Sequence, residues 1–257
     1  MLLVQDQTGH EVKINSTNRI VSIVPSQTEL LVDLGCEDRL VGLTKFCVHP
    51  EGLIQRVGHV GGTKNLNLDK IRKLKPDLII GNKEENTQEQ IEELRKEFPV
   101  WMSDIYSVED AFRMILSLGE ILSVSEEANA LVQEIEQERQ SISNKPSFTA
   151  LYFIWKNPNM IAGSHNFIHS MIREAGGVNL GEKIGERYPE LHAEDLKEIP
   201  DYIFLSTEPY PFKESDIIEF KSLYPKSEVL LVDGEMFSWY GSRMRLAYSY
   251  FSKLTSR

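Results

Sequence analysis

The chain has 257 residues, 41% hydrophobic and 26% charged, which suits a folded protein of one large domain or two small ones. A formal net charge of −11 leaves no bulk positive charge to neutralise phosphate or to meet an anionic bilayer, so nucleic acid and membrane surfaces are not expected partners. No uninterrupted apolar run reaches the roughly 18 residues that a membrane-spanning helix needs. The first residues show no basic stretch leading into an apolar one, so the chain as written is expected to be cytoplasmic unless a leader has been removed.

In chain order, residues 2–15 read as a hairpin turning at Thr8-Gly9. The apolar run 19–24 reads as a buried strand, followed by a helix capped by Ser26 or Thr28 and stopped at Gly35. Residues 40–43 form the next strand and 44–50 the loop after it. The Gly-rich stretch 57–68 reads as irregular, and its glycines lack phosphate-loop spacing, so nucleotide binding is rejected. A short helix over 69–74, a strand over 77–80, a charged helix over 84–98, a strand opening at Val100-Trp101 and a helix over 108–122 complete the first half.

Next comes a helix over 125–142, with Ala128, Leu131, Val132, Ile135 and Ile142 on one face. Ser125 suits its N-cap and Pro146 marks its stop. The second half repeats the style of the first. Strands fall at 150–155, 202–205 and 229–232, a helix at 167–174 stops at Gly176-Gly177, and a closing helix over 243–254 carries Leu246, Tyr250 and Leu254 on one stripe.

A match between the halves sets the architecture. Asp69 opens a short amphipathic segment that runs into Pro76-Asp77 and an apolar strand, and Glu194 opens another that runs into Pro200-Asp201 and a strand. The two Pro-Asp pairs lie 124 positions apart (201 − 77), with the long helix between them. The expected fold is α/β: two small Rossmann-like lobes, 1–107 and 146–257, bridged by a rigid helical segment, 108–145, with a ligand cleft between the lobes. Ligands in parallel α/β sheets gather beyond the carboxyl ends of the strands, which points to the loops at 25–28, 44–50, 81–85, 155–165, 206–212 and 233–243.

Those loops are rich in aromatic residues and poor in catalytic groups. Phe46, Trp155, Tyr210, Phe212, Phe237, Trp239 and Tyr240 offer flat apolar faces with polar tips, and Arg243 stands beside the Trp239-Tyr240-Gly241 run. Any single ring is as well explained by packing a lobe core, but the Trp239-Tyr240-Gly241 cluster, in a loop between a strand and a helix, is expected to contact ligand. Cys47 and His49, in Phe-Cys-Val-His-Pro, are candidate soft metal ligands without a second pair nearby. Cys36 and Cys47 otherwise read as buried thiols, with one disulfide as the alternative. His165 and His169 have the spacing of one helix face but lack the Glu of a zinc hydrolase. No Gly-x-Ser-x-Gly elbow anchors a hydrolase triad. Asp233 and Glu235 can serve as acid–base groups, hold a polar ligand edge or pair with Arg243.

Four stretches together carry a family resemblance: Arg19–Leu30 (RIVSIVPSQTEL), the Gly-rich 57–68 run with the 69–80 segment after it, Ala-Gly-Gly-Val-Asn at 175–179, and the 194–205 segment. In this order and spacing the chain resembles the ABC-transporter substrate-binding proteins with a helical backbone, the class of vitamin B12, siderophore and haem binders. Phe-Cys-Val-His-Pro and Ser-Trp-Tyr-Gly add a likeness to relatives called helical backbone metal receptors. The resemblance implies a binding protein rather than an enzyme, with no intrinsic cofactor, and a cargo of cobalamin or another corrinoid, otherwise an iron–siderophore or haem. It implies ligand contacts at Phe46 and Asn82, the latter in place of a Trp, and in the Phe237–Trp239 loop. It also implies a permease partner docking on Asp69 and Glu194, with the binding protein a monomer. The rival reading is a cytoplasmic metal-handling protein or enzyme on the same scaffold, using Cys47, His49 and Asp233.

Overall fold

The structure, a computed structural model, describes residues 1–142 and 147–254. The expected stop at Pro146 lies outside them. The chain divides into two compact units. The N-terminal unit holds Met1–Ile105, Glu109–Glu134 and Tyr240–Ser242, and the C-terminal unit holds Tyr106–Val108, Ile135–Trp239 and the closing stretch from Arg243.

In the N-terminal unit, β1 (Leu2–Gln5) and β2 (Glu11–Ile14) form the expected hairpin. Asp6 shapes its turn by accepting from the Thr8 and His10 amides, both at 2.9 Å. β3 (Ile20–Ser22) leads into α1 (Pro25–Asp33). The helix starts on Pro25, whose fixed φ and missing N–H suit a first turn, and neither Ser26 nor Thr28 caps it. β4 (Leu40–Leu43) and α2 (Leu53–Val57) follow. The Gly-rich stretch is not wholly irregular: β5 (Gly61–Gly62) and β6 (Asn65–Leu66) pair as a minimal ribbon. α3 (Leu68–Leu74) is capped by the Asn67 side chain. Then come β7 (Leu78–Asn82), α4 (Gln88–Arg95) and β8 (Val100–Ser103). The parallel sheet has the order β4-β3-β7-β8. Val21, Ile23, Ile79, Val100 and Met102 share a core with Ile71, Ile91 and Leu94.

α5 (Val108–Leu122) and α6 (Ser125–Ser141) come next, and the division between units falls inside α6, between Glu134 and Ile135. Ala128, Leu131 and Ile135 are buried as expected, whereas Ser125 is the first helical residue rather than the cap.

The C-terminal unit opens with β9 (Phe148–Trp155) and β10 (Met160–Ile161), which pair antiparallel. α7 (Phe167–Glu174) and β11 (Gly177–Asn179) follow, so Gly177 is a strand residue and Gly176, at φ +91°, makes the turn. Residues 193–195 form a single 3-10 turn where a longer helix was expected. β12 (Tyr202–Ser206), α8 (Glu214–Leu223), β13 (Glu228–Val232), α9 (Glu235–Ser238) and α10 (Met244–Leu254) complete the chain. α10 buries Met244, Ala247, Tyr248 and Phe251, while Leu246 is exposed, so the expected stripe is rotated.

β11 and β12 flank β9, and β13 flanks β12, all parallel. The order β11-β9-β12-β13 therefore repeats β4-β3-β7-β8, strand for strand in chain order. The two Pro-Asp pairs do one job in both units. Asp77 accepts from Ser16 Oγ at 2.7 Å and the Arg19 amide at 3.1 Å, tying β7 to the entry of β3. Asp201 accepts from the Thr149 amide at 2.7 Å and Thr149 Oγ1 at 2.8 Å, tying β12 to the start of β9. The half-repeat seen in the sequence is thus a repeat of topology and of a strand-joining carboxylate.

Candidate ligand-binding site

In the N-terminal unit the loop after β4 alternates outward and inward. Phe46 is 50% exposed, Cys47 0% and Val48 53%. Cys47 Sγ lies 3.1 Å from Thr28 Oγ1 and 3.2 Å from Thr44 Oγ1. Burial raises the thiol's pKa, opposed by these hydroxyl contacts, so Cys47 is a structural thiol rather than a ready thiolate. Among the described residues no three or more His, Cys, Asp or Glu side chains are arranged to hold a metal ion, and both cysteines are free and buried, with no disulfide between them. The candidate pairing of Cys47 with His49 therefore lacks the further ligands of a complete site.

Asn82, at the end of β7, is buried. Its Oδ1 accepts from the Glu84 and Glu85 amides at 2.8 and 3.1 Å, and its Nδ2 donates to Ser103 Oγ at 2.9 Å. It shapes the turn after the strand. Tyr240 is also buried, its hydroxyl donating to Glu85 Oε1 at 3.2 Å. Burial, then the Glu85 charge, pushes its phenol well above the ordinary range. Gly241 sits at φ +113°, and a Cβ there would lie 3.4 Å from Leu30 Cβ, so this sharp turn against α1 needs glycine.

In the C-terminal unit Trp155 ends β9 with 42% of its surface exposed. Tyr210 meets it edge-on at 5.6 Å, and the Tyr210 amide donates to Ile154 O at 3.3 Å. Lys156 is committed to Asp216 and Glu219, at 2.8 and 2.7 Å, and these contacts raise its pKa. Phe212 and Phe237 are core rings. Phe237 is wholly buried among Tyr152, Phe204 and Phe251, at 5.0, 5.9 and 4.8 Å between centroids.

Trp239 is held rather than displayed. Its Nε1 donates to Glu208 Oε1 at 2.9 Å, and the Arg243 guanidinium lies 4.9 Å over its ring while pairing with Glu235 at 2.8 Å. Glu208 Oε1 also accepts from Ser238 Oγ at 2.5 Å. Burial raises the Glu208 pKa, and the Ser238 bond opposes it. Asp233 is spent on the entry to α9, accepting from the Glu235 amide at 3.1 Å. His165 precedes α7 at φ +54°, so it does not share a helix face with His169; His169 is half-buried beside Asn179, and its pKa is lowered by burial.

Of the residues singled out from sequence, Phe46 and Trp155 are the ones whose rings face solvent at strand ends, and they are the only aromatic rings among the exposed large hydrophobic side chains of the described residues. Sequence reasoning missed Glu208 and the hydroxyls around Cys47, because nothing in Thr-Glu-Pro-Tyr-Pro or in an isolated Thr marks the partner each will find.

A model of the periplasmic binding protein family matches residues 20–222. The chain belongs to this family. The chain is 26% identical over 194 residues to the vitamin B12-binding protein of Vibrio vulnificus strain CMCP6, covering 73% of this chain and 71% of that one. Its fold is that of the periplasmic vitamin B12-binding protein BtuF of Vibrio cholerae, with a TM-score of 0.79, 20% identity, and 93% and 98% of the two chains covered. The periplasmic haem-binding protein HutB of Vibrio cholerae superposes with a TM-score of 0.80 and 20% identity, covering 94% of this chain and 100% of that one. Among the described residues no helix of the binding protein is long and apolar enough to cross a membrane.

Proposed function

We propose that this protein is the substrate-binding component of an ABC importer for a metal chelate, cobalamin or another corrinoid first, an iron–siderophore or haem next. The observation that carries the reading is the pair of solvent-facing rings, Phe46 and Trp155, each at the carboxyl end of a strand in its own unit. A flat chelate with a large apolar face is the ligand such rings suit. Family membership and relatives named for vitamin B12 and haem binding support the same reading. The chelate is cargo, the protein needs no cofactor of its own, and binding involves no chemical step. Preformed strand-end loops keep the ordering cost of binding low. Asp69 and Glu194 are both exposed, each among the residues that line a surface concavity, of about 460 and 510 Å³, and serve as docking points for a basic permease surface. The protein works as a monomer on the outer side of the membrane.

The test is a titration with cyanocobalamin, cobinamide, haemin and a ferric hydroxamate, followed by tryptophan fluorescence. Saturable quenching by one of them, weakened by W155F and by F46A, is the expected result. No quenching by any of the four removes the chelate reading.

A further inference from the structure

Phe-Cys-Val-His-Pro and the Gly-rich run are brought together in the N-terminal unit. Lys45 N donates to Gly61 O at 2.8 Å, and Val60 N donates to Leu43 O at 2.7 Å, so the Gly-rich run lies along the loop after β4. Gly61 sits at φ +111°, and a Cβ there would lie 2.5 Å from Asn65 O. Only glycine holds that turn without strain. Gly62 has a different constraint: a Cβ on it would lie 3.2 Å from Phe46 Cε2 and 3.4 Å from Lys45 Cε. The Phe46 ring rests on the bare backbone of Gly62, with Lys45 Nζ 5.0 Å from the ring centroid.

From the inside, Cys47 does the matching work. Its sulfur is enclosed by Thr28 and Thr44, and Thr28 Oγ1 is itself 2.8 Å from Ser22 Oγ and 2.9 Å from Val24 O. The thiol thereby ties the loop to the end of β3 and the first turn of α1. Cys47 is buried between the exposed Phe46 and Val48, so its contacts hold the segment that carries both.

We propose that Cys47 and Gly62 are positioning residues for the ligand-facing ring of Phe46, the thiol anchoring the loop from within and the absent Cβ leaving the ring its seat. The proposal rests on the reading of Phe46 as a ligand contact. It gives Cys47 a role in recognition that requires no metal. A ring held in advance loses little rotamer entropy on binding, so an unseated ring lowers affinity even where it still touches the ligand.

Two measurements test this, one of them without ligand. In a W155F background the remaining tryptophans, Trp101 and Trp239, are buried at 0% and 7% exposure, so the indole introduced by F46W is the exposed one. Its time-resolved anisotropy should show little fast local motion. Adding G62A or C47A should introduce a fast component, and C47S, which keeps a hydrogen-bonding group for Thr28 and Thr44, should largely remove it again. With haemin as the probe, G62A and C47A should weaken binding several-fold when measured well below each variant's thermal midpoint, and F46A/G62A should bind no more weakly than F46A. Unchanged anisotropy in G62A and C47A, or additive losses in the double variant, overturns the proposal. If haemin binds none of the proteins, parent included, the chelate reading loses its support from haemin, while the anisotropy still decides whether the ring is seated.

Discussion

Two carboxylates in the C-terminal unit answer pH in opposite directions. Glu208 is enclosed by Ser238, Trp239 and the backbone after β12, with Asp233, Glu235 and Tyr152 among the ionisable groups around it. Its folded pKa is raised by burial, so the folded state holds a proton more tightly than the unfolded state does. The stability linked to that proton is full below the unfolded pKa and is lost as pH rises through the folded one. E208Q keeps an acceptor for Ser238 and Trp239 without the charge. Thermal melts across pH should therefore show E208Q gaining on the parent protein as pH rises out of the carboxylate range. Asp201 has the opposite sign. Hydrogen bonds from Thr149 lower its pKa, so its contribution is present above the unfolded pKa and fades as pH falls through the folded one. D201N should destabilise the protein at neutral pH and converge with it in acid, measured by the same melts.

At the scale of elements, α5 and α6 meet at Gly119. A Cβ there would lie 2.4 Å from Ala128 Cβ and 3.4 Å from Ser125 Cα, so the two helices approach as closely as a bare backbone allows. G119V should cost about 1–3 kcal/mol of unfolding free energy, read by urea denaturation, because neither helix can yield without moving its neighbours. This contact also shows what periodicity reveals and what it does not. The apolar face of α6 was legible because Ala128, Leu131 and Ile135 recur at helical spacing through otherwise charged sequence. In α10 two stripes compatible with a helix compete. Leu246, Tyr250 and Leu254 form one, and Met244, Ala247, Tyr248 and Phe251 form the other; only tertiary packing decides for the second. The strands over 20–22, 78–82 and 202–206 were legible as short apolar runs, whereas β10 and β11 exist because β9 supplies a partner and carry no pattern of their own. The candidate site divides in the same way. The exposure of Phe46 and Trp155 follows from aromatics standing at or just past strand ends, while Asn82 is held in a turn and Phe237, in α9, in a core of rings by partners that no spacing encodes.

At the scale of the whole molecule, binding and docking should separate. D69R and E194R alter exposed side chains away from Phe46 and Trp155 in sequence, so chelate affinity should hold while stimulation of the importer is lost; a loss of affinity instead would refute docking at these residues. A bound chelate should raise the thermal midpoint with the logarithm of its concentration, the stabilisation reaching about 2.7 kcal/mol at a hundred times the dissociation constant. The partition of the chain bears on a different experiment. Tyr240–Ser242 is counted with the N-terminal unit although Trp239 and Arg243 on either side of it are not, and Tyr240 there donates to Glu85. Neither unit is a contiguous segment. A fragment ending within α6 would be missing the last piece of its own fold, so dissecting the protein into independently expressed halves calls for grafting a tripeptide, not simply for choosing where to cut.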